Sequence, residues 1–185
     1  MVDARWTDVE AELQGSIEHF RKSIQLFDQN QFDEPDLEGY KARMAFMHAM
    51  QSGYTSFESG LLKVLSILDE AHPSRNETWH ADLINRVARE IAGNRPAILS
   101  PDTAKLADEL MRFRHVAVRS YNNFRPDQAR NAVAAVRKLV DRILPEIVTF
   151  RTVIDPEEND GGGDGAGGGA AGGPPPKNRG MGGPK

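Results

Sequence analysis

A run of basic and aromatic residues in the second half of the chain carries the groups best suited to chemistry. It contains Arg112, Arg114, His115, Arg119 and Tyr121. On a helix, Arg114 and Tyr121 share one stripe, and the other three residues share the adjacent stripe. Guanidinium groups bind phosphate through forked hydrogen bonds, and imidazole exchanges a proton near neutral pH. The run therefore indicates chemistry on a phosphate group; the alternative is a solvated basic face beside a packed tyrosine.

A second candidate is Glu58, a carboxylate on an apolar helix face. Helical spacing places Tyr54, Leu61 and Leu65 on the same face as Glu58. Burying a carboxylate is costly unless a cation pairs with it. Glu58 therefore either reaches solvent at the rim of an interface or pairs with a cation, and the arginines after position 111 are the candidates.

Other familiar chemistries find little support in the sequence. His19, His48, His72 and His80 show no metal-ligand spacing. His80 follows Trp79 where a connection becomes a helix, which favours a capping or packing role. The chain has no cysteine, so disulfides, thiolate zinc sites and cysteine nucleophiles are excluded. Phosphate-loop, HExxH and GxSxG patterns are absent from the sequence. We therefore predict neither a metal site nor a cofactor.

The net charge of −4 is unevenly distributed along the chain. Residues 1–40 carry ten acidic and three basic residues, whereas residues 111–151 carry nine basic and three acidic residues. One interpretation is that the two ends pack together, or that both are solvated faces. The other interpretation is a basic surface that meets phosphate groups.

The C-terminal tail differs in composition from the rest of the chain. Residues 161–185 hold 12 of the 17 glycines and four of the 11 prolines. Such a segment buries too little apolar surface to offset the entropy of ordering it. We predict one folded domain over residues 1–155 and a disordered Gly/Pro-rich tail over 156–185. The sequence has no apolar run of about 18 residues and no secretory signal, so we expect a cytoplasmic protein with no membrane partner.

Apolar residues at steps of three and four predict helices throughout the folded part. Ser100 is a favoured N-cap for the fourth helix, with Pro101 at its first position. Pro145 should kink or divide the fifth helix. Short connections between five helices predict an all-α, antiparallel bundle. The five predicted helices lie at about residues 6–27, 40–68, 79–91, 101–121 and 126–150.

The residues around Arg114 resemble the signature of HepT-like members of the HEPN superfamily. Arg114 is followed directly by His115 and seven residues later by Tyr121. Tyr54 and Glu58 are similar to the Tyr-x-x-x-Glu of that family's second helix. The resemblance covers about residues 40–125. Two connecting segments also resemble the family: Trp79-His80-x-x-Leu83 and residues 95–100.

The resemblance implies a homodimeric, all-helical fold with a cleft between two protomers. Active members of the family are metal-independent endoribonucleases, often toxins held in check by a nucleotidyltransferase antitoxin. The family motif is Arg, a polar residue, three residues, His, one residue and Tyr. Arg114, His115 and Tyr121 take the arginine, polar and tyrosine places in this sequence. The histidine place is taken by Arg119, which departs from the family pattern.

This departure bears directly on catalysis. Metal-free cleavage of RNA needs a base for the 2′-hydroxyl proton, and a guanidinium stays protonated, so Arg119 cannot replace the histidine. Either His115, one helical turn earlier, is the substitute acid/base, or the cleft binds RNA or a nucleotide without cutting it.

By the same resemblance, Arg114 and Arg119 contact the scissile phosphate. Tyr121 positions the substrate and is the residue to which the antitoxin transfers an AMP group. Glu58 orients Arg114 or its dimer mate, and Arg112 also binds or orients the substrate. The alternatives are a catalytically degenerate HEPN dimer that binds RNA, a nucleotide or a protein, and a helical scaffold whose basic strip only docks the acidic first helix.

Overall fold

A computed structural model describes residues 4–32, 35–119 and 126–156, without the side chains of residues 115–119. Within these ranges the chain is an antiparallel bundle of helices, which confirms the all-α prediction. No strand occurs in the described ranges apart from an isolated bridge between Ile91 and Arg95. The predicted disordered tail lies outside the described residues from position 157 onward. The helices are α1 (Ala4–Gln29), α2 (Leu37–Ile67), α3 (Trp79–Val87), α4 (Pro101–Arg119), α5 (Pro126–Leu139) and α6 (Ile143–Ile154).

The helices share one hydrophobic core, to which all six contribute buried side chains. In α1 the predicted apolar stripe is confirmed, because its large apolar side chains are fully buried at steps of three and four. Among the described helices, none has the length and apolar character required to cross a membrane. The buried apolar residues of α1 are Trp6, Val9, Leu13, Ile17 and Phe20.

The contact between α1 and α2 is the largest between any two helices and depends on small residues. A Cβ atom at Gly53 would lie 2.6 Å from Cδ1 of Phe20, and one at Gly60 would lie 2.5 Å from Cδ2 of Leu13. Ser16 on α1 donates a hydrogen bond of 2.7 Å to the carbonyl of Gly53. The two backbones therefore approach closely, and α2 becomes a fixed platform for the other helices.

Both ends of α2 are capped by the chain around them. At the start, Oδ1 of Asp36 accepts hydrogen bonds of 3.0 Å from the amides of Glu38 and Gly39. At the end, Asp69 has a left-handed backbone (φ 54°), and the amide of Glu70 donates to the carbonyl of Leu65 over 2.9 Å. This is the Schellman arrangement, which ends a helix by satisfying its last carbonyls.

Arg95 joins the two connections on either side of α3. Its side chain is buried, forms an ion pair with Glu70, and has Nη2 3.1 Å from Oε2 of that carboxylate. Nη1 donates to the carbonyls of Arg89 and Pro96 at 2.9 and 3.0 Å. Because a buried guanidinium needs several acceptors, these bonds fix where α3 lies against α2.

The start of α4 is capped from two directions. Ser100 is the N-cap as predicted, since its Oγ accepts a hydrogen bond of 3.2 Å from the amide of Thr103. Glu146, from α6, accepts hydrogen bonds from the amide of Ser100 at 2.8 Å and from its hydroxyl at 2.7 Å. It also accepts one from Thr103 Oγ1 at 2.6 Å. A carboxylate at a helix N-terminus also complements the helix dipole.

The predicted fifth helix is divided into α5 and α6. The break lies at residues 140–142, and Pro145 occupies the first turn of α6. A proline is tolerated there because the amides of the first turn have no partner within their own helix. The prediction that Pro145 divides the helix is confirmed.

Part of the uneven charge is paired between helices of the bundle. Arg137 of α5 pairs with Asp28 of α1, and Arg151 of α6 lies 3.1 Å from Glu10 of α1. The acidic first helix therefore packs against basic residues of the last third of the chain. These pairs are partly exposed, so each contributes at most about 1 kcal/mol to stability.

Two glycine-to-alanine substitutions test the close contact between α1 and α2. Gly53→Ala should lower the free energy of unfolding by about 1–3 kcal/mol, because the new methyl group meets the rigid, buried ring of Phe20. Gly15→Ala is the matched control, since no atom lies within 4 Å of its added Cβ. It should raise stability by about 0.5–1 kcal/mol through helix propensity alone. Urea unfolding measures both values, and equal effects of the two changes would contradict the packing argument.

Candidate functional site

Three helices bring four chemically active side chains together. α2 contributes Tyr54 and Glu58 one turn apart, α3 contributes His80 from its first turn, and α4 contributes Arg114. Phe113, directly before Arg114, is buried against Phe46 of α2 with ring centroids 6.0 Å apart. This packing sets the rotation of α4 so that the next side chain faces α2 and α3.

The centre of the site is a chain of contacts from Glu58 through His80 to Arg114. Oε1 of Glu58 forms a short contact with Nδ1 of His80. Nη1 of Arg114 contacts Nε2 of the same ring and lies 3.2 Å from Nδ1. Because arginine can only donate, Nε2 must be the acceptor, and Nδ1 carries the proton donated to Glu58. The partners thus assign one neutral tautomer to His80.

Two members of this contact chain, Glu58 and His80, are largely withdrawn from solvent, and Arg114 is half-buried. The side chain of Glu58 is 5% exposed and that of His80 is 12% exposed. Burial raises the pKa of Glu58 to about 7, although the positive charge of Arg114 acts in the opposite direction. The carboxyl group is therefore poised to gain or lose a proton near neutral pH.

Tyr54 forms the wall of the site. Its ring lies 6.1 Å from that of His80, and the guanidinium carbon of Arg114 lies over it at 5.8 Å. Burial, with a further contribution from the nearby Glu58 carboxylate, raises the pKa of Tyr54 above its ordinary value. Its hydroxyl lies beside the carboxylate of Glu58. Among the described residues, neither this hydroxyl nor Nε of Arg114 has a hydrogen-bond partner.

The rim of the site is formed by Trp79 and Arg75. Trp79 stacks on His80 with ring centroids 3.9 Å apart, and the guanidinium carbon of Arg75 lies 5.1 Å from the centre of a Trp79 ring. The charge of Arg75 also lowers the pKa of Glu58, which places this cation within electrostatic reach of the buried carboxylate. The site therefore combines one buried acid with two arginines.

Glu58 and Arg114, two of the predicted site residues, lie in the same cluster but do not form a direct ion pair. Glu58 is buried and has a cationic neighbour, so the hypothesis of a solvated interface rim is wrong for this residue. His80 stands between Glu58 and Arg114, and no ion pair joins the two directly in the described residues.

The remaining predicted residues fall into two groups. Arg112 is exposed and pairs with Glu109 of its own helix at 2.7 Å, outside the cluster. The side chains of His115 and Arg119 lie outside the described residues, although their backbone belongs to α4. Tyr121 lies outside the described residues altogether. The roles of these last three stay predictions.

His80 is the functional candidate that the sequence did not single out. The sequence favoured a capping or packing role for it, whereas in the structure it also contacts both Glu58 and Arg114. The available signal was indirect: a carboxylate on an apolar face requires a polar partner, and the Trp79-His80 dipeptide begins a helix. In the described ranges, no three His, Asp or Glu side chains gather as metal ligands.

Comparisons with known proteins identify one family. Residues 45–154, more than half of the chain, match the model of a family described as HepT-like protein. The matched region contains every member of the Tyr54, Glu58, His80 and Arg114 cluster. No curated protein and no solved structure matches the chain.

The raised pKa of Glu58 predicts how stability depends on pH. Between the ordinary value of 4.5 and about 7, folded Glu58 retains a proton that the unfolded chain releases. This group therefore lowers the free energy of unfolding as pH rises through that range. Gln cannot titrate, so Glu58→Gln should gain stability relative to the unmodified protein from acidic to neutral pH. Urea unfolding across this range measures the difference.

The matched control is Glu38→Gln, which removes an exposed carboxylate from the same helix. It reports the general effect of removing one negative charge. A difference between Glu58→Gln and the unmodified protein that stays constant with pH would contradict the predicted titration.

Proposed function

The chain belongs to the HepT-like family, and on this premise we propose that it is a metal-independent endoribonuclease of the HEPN type. The observation that supports this most directly is the contact chain from Glu58 through His80 to Arg114. It supplies a phosphate-binding cation and an oriented imidazole, which are the two groups that metal-free RNA cleavage requires.

His80 supplies the base that the motif lacks. Glu58 holds the proton on Nδ1 and leaves the lone pair of Nε2 directed at Arg114. When RNA binds, Arg114 turns from Nε2 to a non-bridging phosphate oxygen, and Nε2 becomes available to the 2′-hydroxyl. This arrangement follows the general pattern in which a carboxylate fixes the tautomer of a catalytic histidine.

The reaction is a transfer within the RNA strand. The 2′-oxygen attacks phosphorus while Nε2 of His80 takes its proton, and the bond from phosphorus to the 5′-oxygen breaks. The 5′-oxygen takes a proton from His115, so the products are a 2′,3′-cyclic phosphate and a 5′-hydroxyl. Arg114 and Arg119 stabilise the charge that develops on the phosphorane. Tyr121 positions the substrate.

The family also supports a partner and an assembly for this chain. We propose that the protein is the toxin of a toxin–antitoxin pair and acts as a homodimer with its cleft between the protomers. The antitoxin is a nucleotidyltransferase that moves AMP from ATP to the Tyr121 hydroxyl and releases pyrophosphate. The bulky, charged nucleotide then keeps RNA out of the cleft.

A second candidate function is RNA binding without cleavage. Two observations favour it: Arg119 occupies the histidine place of the motif, and Nε2 of His80 is engaged by Arg114 in the free protein. If Arg114 keeps this contact when RNA is bound, the site holds a phosphate but has no free base.

A cleavage assay in EDTA decides between these functions. The purified protein should cut unstructured RNA, and His80→Ala should slow cleavage at least about 100-fold, the usual contribution of a general base. His115→Ala should slow it as well, whereas His48→Ala, on the exposed face of α2, should not. The products are measured by gel and by mass spectrometry of the cyclic phosphate.

Full activity of His80→Ala would overturn the assignment of the base. RNA binding by the unmodified protein with no cleavage would establish the second function instead. Binding of RNA through its phosphates is recognised by an affinity that falls steeply as salt is added.

Incubation with a nucleotidyltransferase from a neighbouring reading frame and ATP tests the proposed partner. The protein should gain one AMP group and lose RNA cleavage, because the modified tyrosine blocks the cleft. Tyr121→Phe should remain unmodified, while Tyr40→Phe, which removes an exposed tyrosine hydroxyl of α2, should be modified normally. Intact-mass spectrometry gives the result, and modification of Tyr121→Phe would contradict the proposal.

A further inference from the structure

Trp79 and Arg75 form a stacked pair at the surface beside the cluster. The guanidinium carbon of Arg75 lies 5.1 Å from the centre of a Trp79 ring, and Trp79 itself stacks on His80. Arg75 is exposed and Trp79 is half-buried. The pair therefore continues the row of flat groups that begins at His80 and extends it toward solvent.

The connection before α3 presents this pair outward. Asn76 Oδ1 accepts hydrogen bonds of 3.0 Å from the amide and the hydroxyl of Thr78. The hydroxyl of Thr78 also lies 3.0 Å from Oδ2 of Asp82 on α3. These local bonds hold the connection that carries Arg75 against the start of α3.

The Arg75–Trp79 pair is connected to the proposed phosphate site through His80. Trp79 directly precedes His80, whose ring contacts Arg114. Each phosphate of an RNA strand joins two riboses that each carry a base, so a phosphate bound by Arg114 brings a base to the neighbouring surface. From Arg114, a row of flat groups runs outward through His80 and Trp79 to Arg75.

We propose that the Arg75–Trp79 pair binds an unpaired nucleobase of the RNA whose phosphate is held by Arg114, an inference that rests on the proposed RNA-directed function. Nucleobases stack on aromatic rings and on the planes of guanidinium groups, and this pair offers both. The base stacks on the exposed guanidinium of Arg75 or takes its place on the indole.

Stacking predicts the class of RNA that the site prefers. A paired base is covered on both faces by its neighbours, so the pair selects single-stranded regions. Every base has a flat face, so recognition tolerates changes of sequence and favours purines because their rings are larger.

Binding of a 2′-O-methyl oligonucleotide tests the inference apart from cleavage, because this RNA has no free 2′-hydroxyl. The chain has two tryptophans, and Trp6 is fully buried. Quenching of intrinsic fluorescence by the oligonucleotide therefore reports on Trp79. We expect quenching by a single strand and none by a fully paired, blunt-ended duplex of the same composition.

Three variants separate stacking from charge. Trp79→Leu should weaken binding roughly tenfold, as loss of one stacked base does, whereas Trp79→Phe should retain most of it. Arg75→Ala should also weaken binding, more than Arg130→Ala, which removes an exposed arginine from α5. Fluorescence anisotropy of a labelled oligonucleotide measures affinity, and circular dichroism verifies that each variant is folded.

The results distinguish this inference from the proposed function. RNA cleavage with no quenching, and with equal affinity for Trp79→Leu and the unmodified protein, would overturn the base-binding role alone. Quenching that depends on Trp79 in a protein that does not cleave RNA would support base binding and reject the nuclease. A binding loss in Arg130→Ala equal to that in Arg75→Ala would reduce the role of Arg75 to general charge and overturn its part in stacking.

Discussion

The arrangement of the site depends on one constraint: the carboxylate of Glu58 is buried among apolar side chains. A carboxylate in such a place is stable only with hydrogen bonds and a nearby positive charge. α2 cannot supply these by itself, so His80 must come from α3 and Arg114 from α4. The hydrogen bonds and the positive charge that one buried acid requires thus determine how three helices meet. Burial leaves this acid with a pKa of about 7.

The remainder of the bundle supplies the rigidity that this arrangement requires. Close packing of α1 on α2 fixes the helix that carries Glu58. Polar side chains then fix the other two helices, with Arg95 holding the connections around α3 and Glu146 holding the start of α4. The apolar core provides most of the stability, whereas these buried polar contacts determine position, since their geometry admits few alternatives.

The sequence predicted what depends on local patterns. Apolar spacing located the helices, and Ser100 and Pro145 marked helix boundaries. The apolar face around Glu58 left two alternatives, a solvated rim or a buried acid paired with a cation. Local patterns could not predict the contacts of His80 with Glu58 and Arg114, because these contacts join residues 22 and 34 positions apart. Such contacts depend on how helices cross, which periodicity within a helix does not specify.

The contact of Glu146 with the start of α4 also determines when the site can form during synthesis of the chain. Every residue of the cluster precedes position 115, but the carboxylate that caps the arginine-bearing helix comes from α6. Because a chain leaves the ribosome from its N-terminus, α4 receives this cap only after α6 has emerged. The site is therefore completed only after α6 has been synthesised, and a nascent chain that stalls before α6 carries the chemical groups without their final support.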